Sequence, residues 1–150
     1  LKHMVQNPLI PVYWFLISKG YKTYLLLIRN YVEHWPRFEM PTPAFQKAVI
    51  DTLSFDKFGQ AWKRELGVLK FDKPQGKLKE AVAPIDEDLL RQFQDIQFFA
   101  RANPGHPHGD ELCCLGRVNP AFIVNFALRT SRKLLGKRPK STVWNEGTQT

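Results

Sequence analysis

Apolar residues along this chain gather in short blocks separated by proline, glycine and asparagine, and the spacing within each block predicts an element. The first block runs from Leu9 to Ile17, with Pro8 and Pro11 where a helix could begin and Gly20 as its interruption. From Lys22, the residues Tyr24, Leu27, Ile28, Tyr31 and Trp35 recur at helical intervals and predict a helix over Lys22 to His34, closed by Pro36. Part of that stretch, Tyr24 to Ile28, is equally compatible with a strand. Pro36 to Pro43 reads as a loop, after which Thr42 can cap a helix that has Pro43 at its first position. Phe45, Ala48, Val49 and Leu53 form its apolar face. A break is expected between Ser54 and Lys57, with helical spacing resuming at Phe58, Ala61 and Trp62.

The second half alternates strands with helices. Val68 to Phe71 predicts a strand, Asp72 to Gly76 a turn, and Lys77 to Val82 a returning strand. Asp86 is a good N-cap, Ile85 and Leu90 have the spacing of a hydrophobic staple, and Asn103-Pro104-Gly105 ends that helix. Asp110 to Val118 predicts a strand, and Asn119-Pro120 starts a last helix that ends at Gly136. The expected architecture is α+β: a helix-rich single domain over residues 5–136 with a small, mainly antiparallel sheet, followed by a basic tail at 137–150. A chain of 150 residues buries roughly 70% of its unfolded surface, enough for a core without disulfides or metal.

Charge and cysteine content narrow the setting. The net charge of +8 predicts attraction to anions such as phosphate, nucleic acid or acidic lipid, without choosing among them. Cys113 and Cys114 are adjacent and poorly placed to bridge each other, so no disulfide framework exists, which fits a reducing cytoplasm. No apolar run approaches the roughly 20 residues of a membrane span. His3-Met4 has the form of a cloning remnant, in which case the chain is a fragment of a longer protein.

Several stretches together resemble a group of uncharacterised bacterial proteins similar to GNAT-type N-acetyltransferases. They are N-P-L-I-P-V-Y-W-F (Asn7 to Phe15), G-Y-K-T-Y-L-L-L (Gly20 to Leu27), W-P-R with P-T-P (Trp35 to Pro43), F-F-A-R-A-N-P-G-H (Phe98 to His106) and G-D-E-L-C-C-L (Gly109 to Leu115). The resemblance implies the C-terminal part of an acyltransferase-related protein. Such a part would complete the fold, shape an acceptor pocket, or pair with an upstream GNAT-like region or a homodimer partner. GNAT proteins hold the acyl-CoA pyrophosphate on a Q/R-x-x-G-x-G/A turn at a helix N-terminus, where backbone N–H groups face the phosphates. This chain has no CoA-binding motif of that kind, so no cofactor residue carries over.

Two local constellations suggest other chemistry. His106-Pro-His108-Gly-Asp110 presents zinc-type ligands and matches the start of a metal-dependent hydrolase signature, though Glu111 stands where that signature has histidine. The plainer reading is a polar turn entering a strand whose cysteines pack as small hydrophobes. Cys113 or Cys114 as nucleophile would need a lowered pKa and an adjacent base. The second constellation is basic: Arg129, Arg132, Lys133, Lys137 and Arg138 follow an apolar face formed by Ile123, Ala127 and Leu134. It could bind an acidic membrane surface or nucleic acid, or be a last helix with cations at its C-terminus. Interleaved aromatic and basic residues, Tyr21-Lys22-Thr23-Tyr24 and Arg29-Asn30-Tyr31, could stack bases, but an aromatic helix face is more often core.

Overall fold

The computed structural model describes residues 11–72, 84–119 and 131. It is an α+β arrangement around a small antiparallel sheet, in keeping with the expected class. In chain order the elements are β1 (Val12–Ser18), α1 (Tyr21–Asn30), β2 (His34–Trp35), α2 (Ala44–Phe58), β3 (Trp62–Lys63), β4 (Val68–Leu69), α3 (Glu87–Gln92), α4 (Gln94–Ala102) and β5 (Glu111–Val118).

The last strand is the centre of the sheet. Along one edge β5 pairs with the whole of β1, from Val12 opposite Val118 to Ser18 opposite Leu112. Its other edge is shared: β4 pairs with Glu111 and Leu112, and β2 pairs with Leu115 and Gly116. β3 lies outside β4. Because side chains alternate across a strand, β5 feeds two cores. Leu112 and Cys114 join Tyr24, Leu27, Tyr31, Val68 and Phe99 beneath α1 and α4. Cys113 and Leu115 join Trp35, Ile50, Trp62 and Leu69 beneath α2. Burial on both faces explains why Leu112 to Leu115 reads as an unbroken apolar run. Each large apolar side chain fully buried here contributes about 1.5–3 kcal/mol.

Several expectations are corrected by the pairing. The block from Leu9 to Ile17, read as a helix start, contains a strand from Val12. Its aromatic and β-branched residues suit a pleated surface, and β5 supplies hydrogen bonds along its full length. The helix placed at Lys22 to His34 runs from Tyr21 to Asn30, and His34 and Trp35 are instead a short strand that completes the second edge of β5. α2 continues to Phe58 without the expected break. Its N-cap is Pro43, with no side-chain cap from Thr42. Trp62 is not helical but opens β3, and the chain returns through a turn in which Leu66 and Gly67 N–H groups donate to the Lys63 carbonyl. The hairpin partner of Val68–Leu69 is thus the upstream β3; the returning strand at Lys77 to Val82 lies outside the described residues.

Other expectations hold. Asp86 caps α3, its Oδ1 accepting from the Leu89 N–H at 2.8 Å, although the single helix expected from there to Asn103 is divided at Phe93 into α3 and α4. The predicted strand at Asp110 to Val118 is β5 itself. No helix among the described residues is long and apolar enough to cross a membrane.

Candidate functional site

The divided edge of β5 creates a concavity. Between β4 and β2 the sheet changes neighbour, and a cavity of about 630 Å³ occupies that junction. Its floor is Leu112 and Cys113 of β5. Pro36, Pro41 and Thr42 wall one side, and the turn from Arg64 to Gly67 walls the other. Ala44, Ala48 and Ile50 of α2 lie over it, with Trp62 as its aromatic surface. Leu112 and Ala102 belong to the α1–α4 side of the sheet, whereas Cys113 and Trp62 belong to the α2 side, so the cavity reaches through the sheet edge. Small residues make the space: alanines at 44, 48 and 102, and Gly67, whose φ of +69° favours glycine.

One polar clamp fixes the rim. Asp51 Oδ1 accepts from Trp62 Nε1 at 2.7 Å and from Arg64 Nε at 2.8 Å, while its Oδ2 pairs with Arg64 Nη2 at 2.8 Å. The carboxylate thereby orients the indole that lines the cavity and satisfies its buried N–H. Lys47, also on the rim, has no ion-pair partner among the described residues. The lining otherwise carries few polar groups, which suits an apolar occupant.

The two cysteines are packed, not activated. Burial pushes the Cys113 thiol up to about 11, only partly offset by the nearby Ser54 hydroxyl. Ser54 Oγ is itself buried without a hydrogen bond of good geometry. Cys114 is wholly buried and held well above the ordinary thiol range by desolvation and by Cys113. Neither is a thiolate near neutral pH, so Cys113 enters the cavity as a neutral, weakly polar wall.

His106, His108 and Asp110 are near one another in sequence but are engaged separately. His106 and His108 share a single 3-10 turn. His106 Nδ1 donates to the Asn103 carbonyl at 2.9 Å, its ring 5.5 Å from that of Phe99, while His108 is exposed. Asp110 pairs with Lys70 at 3.3 Å, and its main-chain carbonyl accepts from Asn103 Nδ2. Glu111, next in sequence, is buried and pairs with Lys19 at 2.9 Å. Among the described residues, no group of three His, Cys, Asp or Glu side chains is placed to hold a metal ion. Arg129, Arg132, Lys133, Lys137 and Arg138 lie outside the described residues.

The aromatic residues of α1 form core, not a stacking platform. Tyr24 is fully buried between Phe98 and Phe99, and its hydroxyl donates to the Pro36 carbonyl at 2.8 Å. Burial raises the Tyr24 phenol far above its ordinary range, so it stays a neutral donor. That hydrogen bond ties α1 to the segment walling the cavity. Nearby, His34 is buried in β2, its Nδ1 donating to the Tyr31 carbonyl at 2.9 Å. Burial, with Arg37 close by, lowers its pKa.

Comparison of the chain with protein-family models, with curated proteins and with solved structures finds no match. The cavity therefore stands on its own geometry. Sequence reasoning did not single out Ala44, Ala48, Asp51, Trp62, Arg64 or Gly67 as one site. They come from α2, β3 and the turn after it, and share no motif. The one signal available was Trp62 and Arg64 flanking Lys63, with Asp51 as an acidic partner 11 residues before Trp62.

Proposed function

We propose that this domain is a binding unit for a small, mainly apolar molecule held between α2 and the divided edge of β5. The supporting observation is the cavity of about 630 Å³, which lies within the 300–1,000 Å³ typical of small-molecule sites. It is walled by alanines, prolines and Trp62, and its rim is stiffened by the Asp51–Arg64 pair. The wall chemistry favours binding over covalent catalysis, because burial keeps the thiol it contains neutral. The resemblance to the C-terminal part of acyltransferase-related proteins gives this reading a setting. In such a protein the cavity would receive the acceptor, and another region would supply the cofactor-binding turn this chain lacks.

Straight-chain alcohols from butanol to decanol test the reading. Affinity should rise about fourfold per methylene, the equivalent of ~0.8 kcal/mol, until the cavity is full. Amide resonances of Ala48, Gly67 and Cys113 should shift saturably in two-dimensional NMR. Ala44→Trp and Ala48→Trp place an indole at exposed lining positions and should abolish binding while leaving the spectrum dispersed. Unchanged binding in both variants, or no binding by the parent, would refute the assignment.

A further inference from the structure

We infer that this cavity selects ligands carrying an N–H or O–H donor, because the way the sheet edge is built leaves one main-chain acceptor on its floor without a partner among the described residues. The inference rests on the small-molecule reading above and adds to it the chemistry of recognition.

Within an antiparallel strand the N–H and C=O of one residue point to the same edge. The Cys113 N–H donates to the Gly67 carbonyl at 3.2 Å, so both main-chain groups of Cys113 face the divided edge. In a regular pair Gly67 would return a hydrogen bond to the Cys113 carbonyl. It does not, because the Gly67 N–H is turned into the β3–β4 turn and donates to Lys63 at 2.9 Å. The other segment on that edge cannot answer either. β2 ends at Trp35, opposite Leu115; its register would set Arg37 opposite Cys113, but Arg37 is bridged to Met40 instead. Gly67, Pro36 and Cys113 all line the cavity. The Cys113 carbonyl thus meets the cavity at the place where one neighbouring strand stops and the other has not begun.

Buried main-chain carbonyls are almost always paired, and one enclosed by a ligand without a donor would be left unsatisfied. A ligand with a donor supplies the missing rung. The surrounding alanine, proline and tryptophan walls hold its apolar body, and the β5 carbonyl fixes its polar end. The expected ligand is an alcohol, a primary or secondary amide or an amine, with an apolar body.

Octan-1-ol and 1-methoxyheptane make the test, since they are isomers with the same number of heavy atoms and differ in the donor. The alcohol is expected to bind about tenfold more tightly, although the ether is the more hydrophobic, the difference one buried hydrogen bond makes. Binding of the alcohol should also shift the carbonyl ¹³C resonance of Cys113, and binding of the ether should not. Equal affinities with both probes displaced by Ala44→Trp would overturn this inference and leave the cavity reading intact. So would a Cys113 carbonyl resonance indifferent to the alcohol. Failure of both probes to bind would overturn the two together.

Discussion

Gly116 gives the sharpest test of the packing that positions the site. It lies on β5 with its α-carbon turned to the α1–α4 face. A Cβ added there would stand 2.7 Å from Tyr31 Cγ, 2.8 Å from Tyr31 Cδ1 and 3.0 Å from Leu27 Cδ1. Carbon atoms at rest pack at about 3.5–4.0 Å, so the new methyl overlaps its neighbours by close to 1 Å. Tyr31 and Leu27 are both buried, and neither can swing into solvent without losing core contacts. Overpacking of this kind costs about 1–3 kcal/mol. Replacing glycine by alanine also reduces the freedom of the unfolded chain, which returns about 0.5–1 kcal/mol. Gly116→Ala should therefore destabilise the domain by roughly 0.5–2 kcal/mol, a fall in Tm of about 1–8 °C. Urea unfolding followed by tryptophan fluorescence measures the change. Tyr31→Leu, itself destabilising, should absorb the added methyl, so the double variant should be more stable than the sum of the two losses by at least ~0.5 kcal/mol. An alanine variant as stable as the parent, or strictly additive effects, would mean that α1 does not press on β5 as described.

Two further predictions concern titration. His34 has a folded pKa below its ordinary 6.5, mainly through burial, with Arg37 adding to the effect and the Tyr31 carbonyl, Glu39 and Asp95 opposing it. Above pH 6.5 the ring is neutral in both states; below it the unfolded chain takes up the proton first, so stability should fall, by at most ~1.4 kcal/mol per pH unit. Comparison should stay between pH 7.5 and 5.5, because Asp95, raised by burial and by Glu39, acts in the opposite sense nearer pH 4. Urea midpoints of His34→Gln should lose this slope, and a slope equal to the parent's would contradict the burial argument. The thiols give the other prediction. With Cys113 shifted from 9.0 to about 11, its reaction with a disulfide reagent at pH 8 should be about a hundredfold slower in the folded protein than in guanidinium, and Cys114 should react slower still. Rapid modification of both in the native state would show that the thiols are not buried as described.

How much of this was legible in the chain follows from where the determining contacts lie. The Asp86 cap, the α4 stop at Asn103 and the apolar run of β5 depend on neighbours within a few residues, and each is readable locally. Cys113 and Cys114 as packed hydrophobes could be anticipated from the same run. The strand nature of Val12–Ser18 could not, because its aromatic and branched residues fit a helix start or a strand until β5, about a hundred residues on, supplies the partner. His34 and Trp35 follow the spacing of α1, yet they leave the helix to satisfy β5. Likewise His106, His108 and Asp110 sit close in sequence and diverge in space, since the 3-10 turn and Gly109 aim them at different partners.

Composition and periodicity by themselves settled that this chain forms a mixed helix-and-strand body, because burial of apolar blocks is a local demand that every such stretch makes. Only the tertiary structure decided which strands lie beside β5 and where they end. Those endings are set by long-range pairing: β4 turns away at Gly67, β2 stops before Pro36, and the space between them is the cavity. A site made from the gap between two remote segments leaves no trace in either one.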